Sequence, residues 1–403
     1  MNGKIFRRSV MVLLSALLLA YCAAVPPAPE PRTALVRLAP ASYPAFSDDL
    51  HYDGLFHAID RSLDYLRRLP PDRRFRFGKD AYDRPHLVRS LEAFAAFVRG
   101  KPDASALNAY LRSHFLVYAA RGQASGGKVL FTGYYEPLLA GSRTPDRRFR
   151  WPIYKRPDDL ITANLGDFSQ KFEGERIVGR VSAGRLEPYF DRSAIDGSGA
   201  LEGRAEVLAW VDDPVDLFFL HIQGSGKIFL PSGSTLNVHY DVTNGKPYRS
   251  IGKLLIEEGK IPREEMSMQA IRAYLERHPE QRERILYANP SYVFFQQETR
   301  GPIGSLEVLL TPGRSLATDR RLFPPAALAF VQTSKPLADG KGGIRSWTPM
   351  ARFVLNQDTG GAIQGPGRAD LFWGNGPYAR LAAGHMQHQG RLVFLVLKPG
   401  DPK

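Results

Sequence analysis

Cysteine is almost absent: Cys22 is the only one among 403 residues. That excludes an internal disulfide framework and any multi-cysteine zinc or iron–sulfur site. Acidic residues are also scarce, with 41 Asp+Glu against 54 Lys+Arg, a net charge of +13 and a pI near 9.7. Such a balance suits an anionic partner: nucleic acid, a lipid head group or an acidic cell-wall polymer. Nine scattered histidines and no long Lys/Arg block argue against nucleic acid. There is no internal repeat of fixed period, which excludes solenoid architectures. What is present, 43% hydrophobic, 24% charged and 11% aromatic residues, is the composition of a packed globular protein. It excludes collagenous, disordered and many-span membrane chains, and the length allows two or three domains.

The first residues read as an address. Lys4, Arg7 and Arg8 precede an uncharged stretch from Ser9 to Val25, the layout of a bacterial secretory signal and too short for a stable membrane span. The stretch ends at Leu19-Ala20-Tyr21-Cys22, which resembles the lipobox at which bacterial lipoproteins are cleaved and acylated on cysteine. Tyr21 departs from the small residue of that pattern. The prolines between Pro26 and Pro31 suit an extended tether standing off a membrane.

Three helices are expected next. Leu55, Ile59, Leu63 and Leu66 share a helical face, as do Leu87, Leu91, Phe94 and Val98 after Pro85, and a third helix is expected over Ala106 to Phe115. Strands are then expected over 128–135, 206–211 and 217–222. Ile251, Leu254 and Leu255, followed by Ile271, Tyr274 and Leu275, give a helical pair. The last hundred residues read as short strands at 305–311, 327–332, 351–356 and 392–397 between Gly/Pro turns, the spacing of a small β-barrel.

The densest chemical signal is Gln357-Asp358-Thr359-Gly360-Gly361-Ala362-Ile363, followed by Gly365 to Gly374, which contains Asp370 beside Leu371, Phe372 and Trp373. A carboxyl group desolvated by apolar neighbours is held protonated, as a general acid requires. The alternative is that both aspartates cap turns. A second segment, Phe131 to Pro137, sets Tyr134 and Tyr135 next to Glu136. Tyrosine rings stack on sugar faces and a carboxylate accepts sugar hydroxyls; strand alternation instead puts one tyrosine in a core and the other outside. His221 to Lys227 lacks the spacing of a phosphate loop, and Ser225 lacks a nucleophile elbow. His385 and His388 read as a solvated pair without a third metal ligand.

Together these segments resemble the membrane-bound lytic murein transglycosylase A (MltA) family. The resemblance runs from about Val129 to Leu397 through Phe131–Pro137, Asp213–Phe219, Ile222–Gly226, Asn244–Tyr248, Asn289–Phe295, Leu310–Ala317 and Asp358–Gly374. The last stretch is similar to the 3D domain, whose three aspartates fall here at Asp319, Asp358 and Asp370. The resemblance implies a mainly β fold with helices: a double-psi β-barrel with N-terminal helices, a second β-barrel domain inserted within it, and a glycan groove between them. The corresponding divisions are 1–22 signal peptide with lipobox, 23–48 tether, 49–128 helical part, 129–300 inserted domain and 301–403 3D domain. It further implies cleavage of the β-1,4 bond between N-acetylmuramic acid and N-acetylglucosamine, leaving 1,6-anhydro-muramoyl ends. Asp370 would be acid then base and Asp358 its support; Tyr134, Tyr135, Glu136, Gln223 and Trp373 would line the groove, and Cys22 would carry lipid. No cofactor and no metal are implied. The partners implied are peptidoglycan glycan strands, with cell-wall synthesis or division proteins left open; a membrane is expected through the lipid anchor, and Ala23 rather than Asp after Cys22 points to the periplasmic side of the outer membrane.

Two rivals remain at this point. Asp358-Thr359-Gly360 is the aspartic-protease triplet, but it occurs once, so a protease would need a homodimer to supply the second aspartate. A non-catalytic peptidoglycan-binding lipoprotein on the same fold is the other.

Overall fold

The computed structural model describes residues 34–122 and 127–400. The signal stretch, Cys22 and the prolines of the tether lie outside the described residues. Residues 34–48 of the expected tether are built into the fold. Leu35–Arg37 is a strand antiparallel to Phe115–Ala120, and Leu35, Tyr43 and Phe46 are buried in the main core. Three apolar anchors within twelve residues outweigh the extended propensity of the prolines around them.

The helices form where the periodicity puts them, over Leu55–Arg67, Arg84–Arg99 and Ala104–His114. Asp83 and Asp103 cap the second and third by accepting from the amides of His86 and Ala106. Leu87, Leu91, Phe94 and Val98 make up the buried stripe of the second.

Six strands close into a barrel. Around the ring the order is Val129–Glu136, Arg368–Asn375, Ser315–Ala317, Ile344–Asp358, Leu328–Ala338 and Gln387–Leu397, which returns to Val129–Glu136. Two of the pairings are parallel, Ser315–Ala317 with Ile344–Asp358 and Arg368–Asn375 with Val129–Glu136; the others are antiparallel. Phe131, Leu316, Phe330, Phe353, Leu371 and Phe394 fill its core. Val129–Glu136 is thus a strand of this barrel. The chain leaves the barrel at Pro137 and enters a second sheet with Leu138–Ser142.

That second sheet has the order Val293–Glu298, Thr235–Thr243, Ser225–Phe229, Leu138–Ser142, Val207–Val211 and Trp151–Tyr154. It curls until its two edge strands approach one another, enclosing Leu139, Ile153, Leu220, Ile228, Val238 and Phe295. Helices Ile251–Glu257, Met268–Arg277 and Arg282–Tyr287 share a separate apolar cluster with Val215, Phe218 and Phe219.

Two expected strands are absent. Residues 217–222 lie in a helix, Pro214–Gln223. Asp213 accepts from the amide of Val215, Pro214 occupies the first turn and Gly224 closes the helix at φ 79°. These stop and start signals decide an apolar run whose periodicity is mute because nearly every side chain is buried. Residues 305–311 form a loop with one isolated bridge, Ile303 to Leu309.

Candidate active site

Asp358 and Asp370 are not in the glycine-rich loop but on the strands at its two ends, and Ser315–Ala317 runs between them. Ala317 pairs with Asp358 on one side and Asp370 on the other. The two carboxylates thus share a row across the sheet at two strand spacings, roughly 10 Å between Cα atoms. The row continues through Thr132, which pairs with Asp370, and Gln387, which pairs with Thr132.

The two aspartates are held differently. Asp358 Oδ1 accepts from the amides of Ser305 and Thr359, both at 2.8 Å, and Oδ2 accepts from the Tyr134 hydroxyl at 2.8 Å. Burial raises its pKa, and these donors pull it back. Asp370 accepts from one group, the Thr132 hydroxyl, at 2.8 Å to Oδ1. No second protein donor reaches it among the described residues. Burial pushes its pKa up to about 6, against a weaker opposing pull from Thr132 and the Arg368 charge. Asp319 contrasts with both. Its bidentate contact with Arg321, together with a bond from the Gly365 amide, lowers it to about 2. It fastens the loop that joins the two strands.

Tyr134 is half-buried, with its hydroxyl held neutral by burial and by the Asp358 charge. Tyr135 is only 6% exposed and packs in the barrel core, Glu136 is 1% exposed and Trp373 8%. All three, expected to line the groove, are buried in this structure. Strand alternation explains Tyr134 and Tyr135: the hydroxyl of one reaches Asp358 and the other faces the core. Glu136 instead accepts from Asn375 of the barrel at 2.8 Å and pairs with Lys227 of the second sheet at 3.4 Å. Gln223 accepts from the Tyr135 amide at 3.0 Å. Both fix the crossing between barrel and insert.

Three groups escaped the sequence reading. Thr132 and Arg368 flank Asp370, and Arg368 approaches the Thr132 hydroxyl at 3.5 Å. Tyr248 of the insert is 44% exposed and lies within electrostatic reach of Arg368. The Asn244–Tyr248 motif was the signal for the last; its ring becomes a site feature only once the two parts of the chain are folded together. Beyond Asp358 opens a recess of about 480 Å³, bordered by Tyr65, Arg68, Arg73, Ser305 and Arg320 among others. His385 and His388 do not form a solvated pair: His385 Nδ1 bonds to the Leu381 carbonyl at the end of a helix, and His388 is half-buried against Trp347 on the next strand. Among the described residues no cluster of His, Cys, Asp and Glu is arranged to hold a metal ion.

The family model described as the MltA specific insert domain matches residues 130–296, and that of the 3D domain matches 314–396. The membrane-bound lytic murein transglycosylase A of Escherichia coli K12 is 36% identical over 282 residues, 69% of this chain and 68% of that one. The chain belongs to the membrane-bound lytic murein transglycosylase A family. The Vibrio cholerae member is 33% identical over 291 residues, 71% of each chain. Among solved structures, that of the Agrobacterium tumefaciens membrane-bound lytic murein transglycosylase superposes with a TM-score of 0.72 at 30% identity, covering 90% of this chain and 98% of that one. Escherichia coli MltA with bound chitohexaose gives 0.69 at 27% identity, covering 91% and 95%. The family's mainly β fold, two β domains with appended helices, is the fold described above.

Proposed function

We propose that this protein is a peptidoglycan lytic transglycosylase in which Asp370 serves first as acid and then as base. The observation that carries the assignment is the contrast between the two aspartates. Asp358 has both oxygens occupied by donors, whereas Asp370 has one light contact and a pKa near 6. A group that must be protonated at rest and ionised in mid-reaction needs a pKa near the working pH.

In the first step the Asp370 proton passes to the oxygen linking N-acetylmuramic acid to N-acetylglucosamine as the C1–O bond breaks. The carboxylate so formed is stabilised by the Thr132 hydroxyl and the Arg368 charge. It then takes the proton of the muramic acid C6 hydroxyl while that oxygen bonds to C1. An ordinary glycosidase needs two carboxylates because water or an enzyme group is the nucleophile; here the nucleophile belongs to the substrate. Asp358 orients Tyr134 beside the reacting row, and Tyr248 offers a ring face to a sugar. Acylation at Cys22 would hold the enzyme at the periplasmic side of the outer membrane, and loss of membrane fractionation in Cys22→Ser tests it.

Mass spectrometry of the released muropeptides tests the chemistry. Anhydro ends lacking one water and resistant to borohydride are the expected product. Reducing muramoyl ends as the main product would mean hydrolysis and overturn the single-aspartate reading.

A further inference from the structure

The recess beside Asp358 brings together Arg68 and Arg73, which follow the first helix, with Arg320. Arg68 is spent in part, donating to the Leu306 carbonyl at 2.8 Å. The Arg73 and Arg320 guanidinium groups have no hydrogen-bonded or ion-paired partner among the described residues, and both are exposed. Both Arg73 and Arg68 act on the Tyr65 hydroxyl, which places them on one side of the cavity. The acidic groups at the recess are Glu307, exposed on the loop, and Asp358, whose oxygens are already taken by Ser305, Thr359 and Tyr134. Gathering three cations around one concavity sets up mutual repulsion and a positive field that an anionic ligand relieves.

We propose that this recess binds a carboxylate of the peptide carried on the lactyl group of muramic acid. The inference rests on the transglycosylase reading, because it takes the muramic acid to sit at Asp370. From Asp370 to Asp358 is two strand spacings, roughly 10 Å. A lactyl group followed by two or three extended peptide units covers about that span. A peptide leaving the sugar along the row of paired residues would deliver its free carboxylate to Arg73 and Arg320, whose forked donors suit it.

Binding and cleavage are measured separately to test this. Wild type and the double variant Arg73→Glu/Arg320→Glu are titrated with a synthetic muramoyl tripeptide and with the same molecule fully amidated. Both proteins are also assayed on peptide-bearing glycan strands and on strands stripped of peptide by an amidase. The acid form is expected to bind wild type roughly tenfold more tightly than the amidated form, a difference of about 1.4 kcal/mol. The double variant should lose that preference, raise KM on peptide-bearing strands and leave cleavage of stripped strands unchanged. Equal binding of the two ligands to wild type, or equal loss on both kinds of strand in the variant, overturns the proposal. A protein that binds the acid selectively but cleaves neither strand keeps the recess assignment and refutes the transglycosylase reading instead. Arg73→Gln/Arg320→Gln, with melting temperature recorded, separates loss of the cations from damage by the new negative charges.

Discussion

A carboxyl group that gives up a proton and takes it back has to be tolerable in both states. Asp370 meets that condition by being desolvated, which favours the acid, and lightly hydrogen-bonded, which makes the anion affordable. Activity should therefore be highest below pH 6 and fall about tenfold per unit above it, read from initial rates on isolated sacculi at constant ionic strength. Asp370→Asn should lose at least about two orders of magnitude in rate with circular dichroism unchanged; near-native turnover would remove the residue from the mechanism. The same raised pKa has a cost for the fold. The folded state holds a proton between pH 3.8 and about 6 that the unfolded chain releases, so the stability this group contributes is fully present below 3.8 and lost as pH rises through 6. Asp370→Asn escapes that loss. At pH 7.5 it should be more stable than wild type by up to about 3 kcal/mol, and at pH 3.5 the two urea midpoints should coincide.

The element that organises the site is the strand Val129–Glu136. It supplies Thr132 to Asp370, Tyr134 to Asp358 and Glu136 to the crossing into the insert. Between the first two lies Gly133, where a Cβ would come within 2.5 Å of the Trp373 indole nitrogen and 3.0 Å of the Ala383 Cα. Gly133→Ala should therefore push the strand off Trp373 and cost about 1–3 kcal/mol by overpacking, with a drop in kcat larger than that in binding as Thr132 shifts from Asp370. Urea denaturation and steady-state kinetics on the same preparation check both halves. This strand was legible in the sequence as a β segment with chemistry in it, and so were the helices at 55–67, 84–99 and 104–114, because period and caps agree there. What could not be read was partnership. Thr132 meets Asp370 across 238 residues of sequence, and no local pattern encodes that pairing. The burial of Tyr135, Glu136 and Trp373 was illegible for the same reason: their composition suits a sugar groove, and only their neighbours in the fold cover them. The helix at 214–223 carried its own signals in Asp213, Pro214 and Gly224, which the apolar run between them masked.

At the scale of the whole molecule, segments far apart in the chain are tied to the barrel by charge. Arg314 is fully buried and gives both ends of its guanidinium to Asp48, at 2.6 and 2.8 Å, while also donating to the Asp53 and Phe353 carbonyls. Arg352 and Lys335 hold the adjacent Asp49. Asp48→Ala leaves a buried guanidinium without its counterion and should cost about 3–5 kcal/mol, measured by urea unfolding; a change under about 1 kcal/mol would mean that solvent reaches Arg314 after all.

The ring of six strands closes only where Gln387–Leu397 meets Val129–Glu136. A growing chain holds Thr132 and Tyr134 long before that closing strand exists, and Asp358 and Asp370 shortly before it, yet has no rigid frame on which to aim them. Contacts of such long sequence separation form late. The row that holds Asp358, Asp370 and Thr132 is thus framed only when this closing strand is in place, so a copy truncated before Gln387 is expected to lose the barrel and to release no muropeptides from isolated sacculi.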